Sequence, residues 1–191
     1  MKYHAPNKKF LVENRGWLIN GGVKYYNEDK NNEQALKYFS LYIESAQNPM
    51  LAGDSAIVND TLITTIAYYA SLASMQLKDY KSVLKFTPLV KQDRENHRYG
   101  YEFTASAYRE MGDTAQWIAE LQEGVKKYPD HNYFVGNLLD YYNNSGKFDE
   151  ALKFANDMVT KDPNDSFMQY VKGYLCQNLK KYDDAITAYK A

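Results

Sequence analysis

Residues 132–165, NYFVGNLLDYYNNSGKFDEALKFANDMVTKDPND, decide the fold. Two stretches with helical spacing flank a tight turn. Leu138, Leu139 and Tyr142 precede Gly146-Lys147-Phe148, and Ala151, Phe154, Ala155 and Met158 follow it. Apolar side chains three and four residues apart share one helix face, so each stretch has a face to bury. Gly146 stands where the first helix must stop, in a backbone conformation that glycine enters most easily. Pro163 then closes the second helix and opens a link. The segment reads as helix, turn, helix, link.

The same punctuation recurs on both sides of it. Turns begin at Lys78, Gly112, Gly146 and Lys180, with 34 residues between successive members. Pro129 and Pro163 are also 34 apart and are followed by the polar Asp130 and Asn164. Five residues after each turn begins stands an apolar residue: Val83, Trp117, Ala151 or Ala185. A fixed stride of this length is the mark of a stacked repeat. An earlier unit shows at Tyr26, Ala35 and Phe39 but lies out of frame. It leaves about 14 surplus residues around 47–60, where Asn48, Pro49, Gly53, Asp54 and Ser55 have loop composition.

These residues resemble the tetratricopeptide repeat, a 34-residue helix–turn–helix unit with small residues at positions 8 and 20, large apolar ones at 7, 11, 17 and 24, and proline at 32. The fourth unit matches through Leu138, Tyr142, Gly146, Phe148, Ala151, Met158 and Pro163. The fifth matches through Gly173, Cys176, Tyr182, Ala185 and Tyr189, the third through Ala105, Tyr108, Gly112 and Pro129, and the second through Tyr80 and Leu84. The resemblance implies an all-α protein, an α-solenoid of about five units wound as a right-handed superhelix, with first helices on the concave side. The units fall near 15–46, 64–97, 98–131, 132–165 and 166–191 in a single domain 1–191, with an insertion near 47–60 and the last unit truncated.

Stacked helices must approach closely, so each pair needs a small residue at its contact. Gly173 with Ala185, and Ala105 in the third unit, are expected there. Lys30, Lys78 and Lys180 share the slot of Gly112 and Gly146, so their backbones are expected to be left-handed at about 1 kcal/mol each. Asp149 and Asp183 are expected to cap second helices. Trp117 stands where a small residue belongs; Ala105 and Gly124 are expected to make room for the indole, and truncating it to cost about 3–5 kcal/mol.

Composition narrows function by exclusion. Lys and Arg number 23 against 24 Asp and Glu, so there is no basic excess to neutralise a nucleic-acid backbone. One cysteine forms no internal disulfide, and on the packing face Cys176 reads as a small apolar residue. His4, His97 and His131 never reach metal-ligand spacing, and the last two read as surface residues in links. The adjacent acids Glu28-Asp29 and Asp183-Asp184 read as solvated helix ends. No phosphate loop, GxSxG or HExxH is present. No enzyme activity, metal or cofactor is therefore expected. Neither a signal peptide nor a membrane span is visible in the chain. That makes it cytoplasmic by default, or exported if a leader has been removed.

What remains is a binding face. Positions 2, 5, 9, 12 and 13 of each first helix form a stripe apart from the packing face. Its candidates are Trp17, Asn20, Lys24, Tyr68, Tyr99, Glu102, Arg109, Tyr133, Asp140, Tyr170, Tyr174 and Asn178. Lys24 and Arg109 are outnumbered there by Glu28, Glu102, Glu110 and Asp140, so the stripe is no trap for an acidic partner. Relatives that clamp a carboxylate use Lys then Asn at positions 5 and 9; here Asn20 and Lys24 stand in reverse, which argues against that use. The expected role is a protein-interaction scaffold that holds a peptide or protein segment. Two alternatives stand beside it. Tyr99, Tyr133 and Phe167 could pack on preceding units, and the uncovered end at Asp184–Ala191 could associate with another copy.

Overall fold

The computed structural model describes residues 4–129 and 131–191; Asp130, expected to follow the link proline, lies outside them. The described residues form eleven helices and no strand. They are α1 (His4–Asn27), α2 (Asn32–Ser45), α3 (Ser55–Val58), α4 (Ile63–Gln76), α5 (Tyr80–Val90), α6 (His97–Glu110), α7 (Thr114–Lys127), α8 (Asn132–Ser145), α9 (Phe148–Lys161), α10 (Ser166–Asn178) and α11 (Tyr182–Lys190). By their internal packing the helices divide into two compact units, residues 1–130 and 131–191, each described by itself.

Each sequence repeat is a helix pair. In the first unit α1 packs on α2, α4 on α5 and α6 on α7, and consecutive pairs join through α2 with α4 and α5 with α6. Phe39, Ile43, Ile66, Ala70, Phe86 and Val90 bury one continuous core, with Tyr26, Tyr69 and Tyr99 packed around it. In the second unit α8 packs on α9, α9 on α10 and α10 on α11, burying Phe134, Leu138, Ala155, Met168 and Leu175.

The five turns have the left-handed residue that the stride predicts. Gly112 and Gly146 have φ of 77° and 65°, and Lys30, Lys78 and Lys180 have 51°, 57° and 59°. The expected caps differ. Asn31, Asp79 and Asp113 cap α2, α5 and α7, accepting from the amides of Gln34, Ser82 and Gln116 at 3.0, 3.2 and 3.1 Å. Asp149 and Asp183 lie one or two residues inside α9 and α11, whose cap residues Lys147 and Lys181 have no acceptor side chain. They act on the helix dipole from the first turn rather than on a particular amide.

The close contacts also shift. Gly173 lies against the Tyr189 ring, where a Cβ would come within 2.5 Å of a ring carbon, and Ala185 is buried on the same helix, α11. Ala105 and Gly124 are buried as expected, yet Trp117 itself stays part-exposed and so is not a full core residue. The surplus segment carries the short α3 and ends in Asp60, which ties it to the first pair.

The first unit departs from the others by one residue. In four turns the N–H that closes the first helix reaches back five residues: Asp79 to Ser74, Asp113 to Tyr108, Lys147 to Tyr142 and Lys181 to Cys176. In the first turn Asn31 reaches back six, to the carbonyl of Tyr25 at 2.8 Å. That extra residue moves the whole of α1 one step in register. Gly22, not Val23, then holds the small-residue slot occupied by Ser71, Ala105 and Gly173, and its missing Cβ leaves space for the Phe39 ring.

Candidate binding surface

The candidate residues divide between the two units. In the first, Tyr68 of α4 is the centre of an aromatic platform. Its ring stacks on Phe103 at 5.8 Å and 23°, and meets Tyr99 and Tyr69 at 5.4 Å each. Tyr99 in turn stacks on Phe103 at 5.8 Å, and the Arg98 guanidinium lies 4.5 Å from the Tyr99 ring centre. Tyr99 thus does pack on the preceding pair, while one edge remains accessible. Burial, then the neighbouring Tyr99 and Tyr69, push the Tyr68 hydroxyl upward, so the platform is neutral over the physiological range. Glu102 is half-buried and ion-paired with Arg98, and Arg109 is exposed beside Glu110 at 3.6 Å.

Trp17, Asn20 and Lys24 do not join this stripe. The longer first turn rotates them toward the face that other first helices use to contact a preceding pair; Lys24 is ion-paired with Asp29 at 3.1 Å. The sequence frame, counted back from Lys30, missed that added residue.

In the second unit, Tyr170, Tyr174 and Asn178 follow Phe167 at intervals of three, four and four residues along α10. This is one helix face, and it is open: Phe167, Tyr170 and Tyr174 are 48%, 60% and 40% exposed. Tyr170 leans toward Tyr189 at 5.8 Å, and the Asn178 amide donates to the Tyr174 carbonyl at 2.9 Å. Tyr133 is half-buried edge-on to Phe134 at 5.3 Å, and Asp140 is exposed.

Cys176 is buried, and burial pushes its thiol up, away from the thiolate that reactivity requires. His97 is exposed, whereas His131 is half-buried against Phe134 at 5.6 Å.

Sequence reasoning missed a polar cluster that starts in the surplus segment. Arg15 donates to Asp60 at 2.7 Å and to Ser45 at 2.8 Å, and its guanidinium lies 4.2 Å over the Tyr42 ring. The Tyr42 hydroxyl also donates to Asp60; burial, then that carboxylate, pushes it up to about 12. Nearby, buried Asp93 accepts from the hydroxyls of Thr64 and Thr65 at 2.8 and 2.9 Å and from the amides of Asn96 and Glu95 at 2.8 and 3.0 Å. Asp60 and Asp93 line a recess of about 550 Å³ with Thr61, Thr64 and Thr65. Both carboxylates are saturated by donors from the chain itself, so the cluster fastens helices together. No group of three or more His, Cys, Asp or Glu among the described residues is arranged to hold a metal ion. No described helix is long and apolar enough to cross a membrane.

Only pairs of residues far apart in sequence make this cluster, and no local motif announces them. A signal did exist: Arg15 breaks the apolar face of α1, and a charge there demands a buried partner.

Among solved structures the chain is similar to a TPR repeats protein from Bacteroides fragilis, with a TM-score of 0.61, 20% identity, and 91% of this chain and 83% of that one covered. It is similar to MamA with a TM-score of 0.57 and 12% identity over 93% and 89% of the two chains. A MamA RS-1 double mutant gives 0.53 and 14% over 92% and 90%. No family model and no curated protein sequence matches the chain. The class is thereby defined: an all-helical, TPR-type α-solenoid.

Proposed function

We propose that the protein is a non-enzymatic interaction scaffold whose first helices hold a segment of a protein partner. The observation that carries this reading is the open row Phe167, Tyr170, Tyr174 and Asn178 on α10. Each of the three rings leaves a large part of its surface in water. Held on a rigid helix, they offer large contact area with little side-chain entropy to lose. The adjoining Asn178 and the tyrosine hydroxyls supply hydrogen bonds without net charge, which suits the backbone of an extended peptide better than a strongly charged tail. The Tyr68–Tyr99–Phe103 platform gives the first unit a surface of the same chemistry.

The test is affinity capture with the full chain, followed by the Tyr170→Ala, Tyr174→Ala double variant. Both side chains are exposed, so the melting temperature is expected to stay unchanged while the captured segment binds about tenfold more weakly or worse. Undiminished binding by the folded double variant would refute this surface.

A further inference from the structure

We propose that the first unit holds an amphipathic helix of a partner protein, laid apolar side down along α1 and α4. This presupposes the scaffold reading of the first helices and specifies what they hold there. The register of α1 carries the inference. With helices aligned on the turn carbonyls of Tyr25, Ser74 and Tyr108, the slots of Tyr68, Leu72 and Met75 on α4 are filled on α1 by Ile19, Val23 and Tyr26. On α6 the same slots hold Glu102, Ser106 and Arg109. Successive turns of one helix face are therefore apolar on both α1 and α4 and polar on α6.

None of the six apolar residues is fully buried. Val23 is 39% exposed, and the other five keep part of their surface in water. They also belong together. The Tyr26 ring meets the Tyr69 ring edge-on at 6.1 Å, and Ile19, Tyr26 and Tyr68 pack on one core. On the other flank Tyr68 stacks on Phe103, which sets α6 beside α4. An apolar strip two helices wide thus runs along a polar border.

Hydrogen bonding and charge decide what can cover it. Val23, Leu72 and Met75 carry no N–H or O–H, and the backbone groups beneath them are spent inside α1 and α4. An extended segment pressed there would lose water from backbone groups that find no partner. A helix arrives with its backbone already paired and needs only apolar side chains at i, i+3, i+4 and i+7. The unbranched Met75 adapts to their shape. The border is charged but balanced: Glu102 pairs with Arg98, and Arg109 stands beside Glu110. It fits the mixed polar side of such a helix and gives a segment of uniform charge no hold.

The experiment is selection, on the full 191-residue chain, from a phage-displayed library of random peptides of about 16 residues, or about four helical turns. Selected peptides are expected to carry large apolar residues at i, i+3, i+4 and i+7, and to gain helical circular dichroism on binding. Val23→Gln and Leu72→Gln should each weaken their binding by about tenfold or more. Val23 is exposed, so its variant is expected to keep the wild-type melting temperature and carries the test if Leu72→Gln does not fold. Selected peptides with alternating apolar residues, or with charge of one sign, would overturn the proposal. Peptides released by the Tyr170→Ala, Tyr174→Ala double variant but not by Val23→Gln would overturn it too, and would leave the scaffold reading standing. A library that yields no binder would overturn both.

Discussion

Replacing Gly100 by alanine should weaken the first unit, whereas the same change at Gly16 should strengthen it. Both glycines lie inside helices, α6 and α1, and both belong to the first unit. Each replacement therefore gains the same helix propensity, about 0.8–1 kcal/mol. A Cβ at Gly16 meets nothing within 4 Å, so that gain stands unopposed. A Cβ at Gly100 would lie 2.7 Å from the Lys91 nitrogen and 3.0 Å from its Cα. The side chain of Lys91 can swing aside, but its backbone cannot. Its N–H donates to the Thr87 carbonyl at 2.9 Å and closes α5. Forcing such a contact costs about 1–3 kcal/mol. Gly100→Ala should thus fall between neutral and about 2 kcal/mol destabilising, some 1–3 kcal/mol below Gly16→Ala. Urea unfolding followed by circular dichroism measures the difference as a shift in midpoint at constant slope. Equal stabilisation by the two substitutions would show that α5 and α6 do not approach as closely as the structure has them.

Asp60→Ala should cost about 3–5 kcal/mol in the same assay, because it leaves the Arg15 guanidinium buried without its anion. Arg15→Met with Asp60→Leu should recover most of that loss, since no orphan charge remains; a single-variant loss under about 1 kcal/mol would contradict a buried pair. Stability should also depend on pH through Asp93. Burial opposes its ionisation, but hydrogen bonds from Asn96, Thr64, Glu95 and Thr65 outweigh it and hold the carboxyl at about 2, below its ordinary 3.8. A depressed folded value contributes stability that is complete above the unfolded value and lost as pH falls toward 2, about 2 kcal/mol in all. Asp93→Asn should therefore flatten the stability profile between about pH 4 and pH 2, and an unchanged slope there would count against the predicted network.

The stride was legible because each turn is a local matter. Gly112 and Gly146 adopt a backbone that their lack of a Cβ permits, and Lys78 and Lys180 follow at the same interval, so counting along the chain locates the helices without knowledge of their neighbours. The open face of α10 was legible for the same reason. Phe167, Tyr170, Tyr174 and Asn178 share a helix face by spacing alone. The sequence by itself thus determined the helix pairs, their order, and which residues share a side of each rod.

Tertiary structure decided what each side meets. One added residue in the first turn changes no local preference, yet it turns α1 by a full step and moves Trp17 off the stripe, where it is left exposed. Asp60 and Asp93 carry no local signal of their own, and only the folded chain brings Arg15, Thr64 and Thr65 against them. Gly173 was recognisable as a close contact, but that the Tyr189 ring lies against it depends on how the helices cross. Backbone conformation is set within a few residues, whereas burial and pairing depend on distances between segments remote in sequence, which local spacing does not encode.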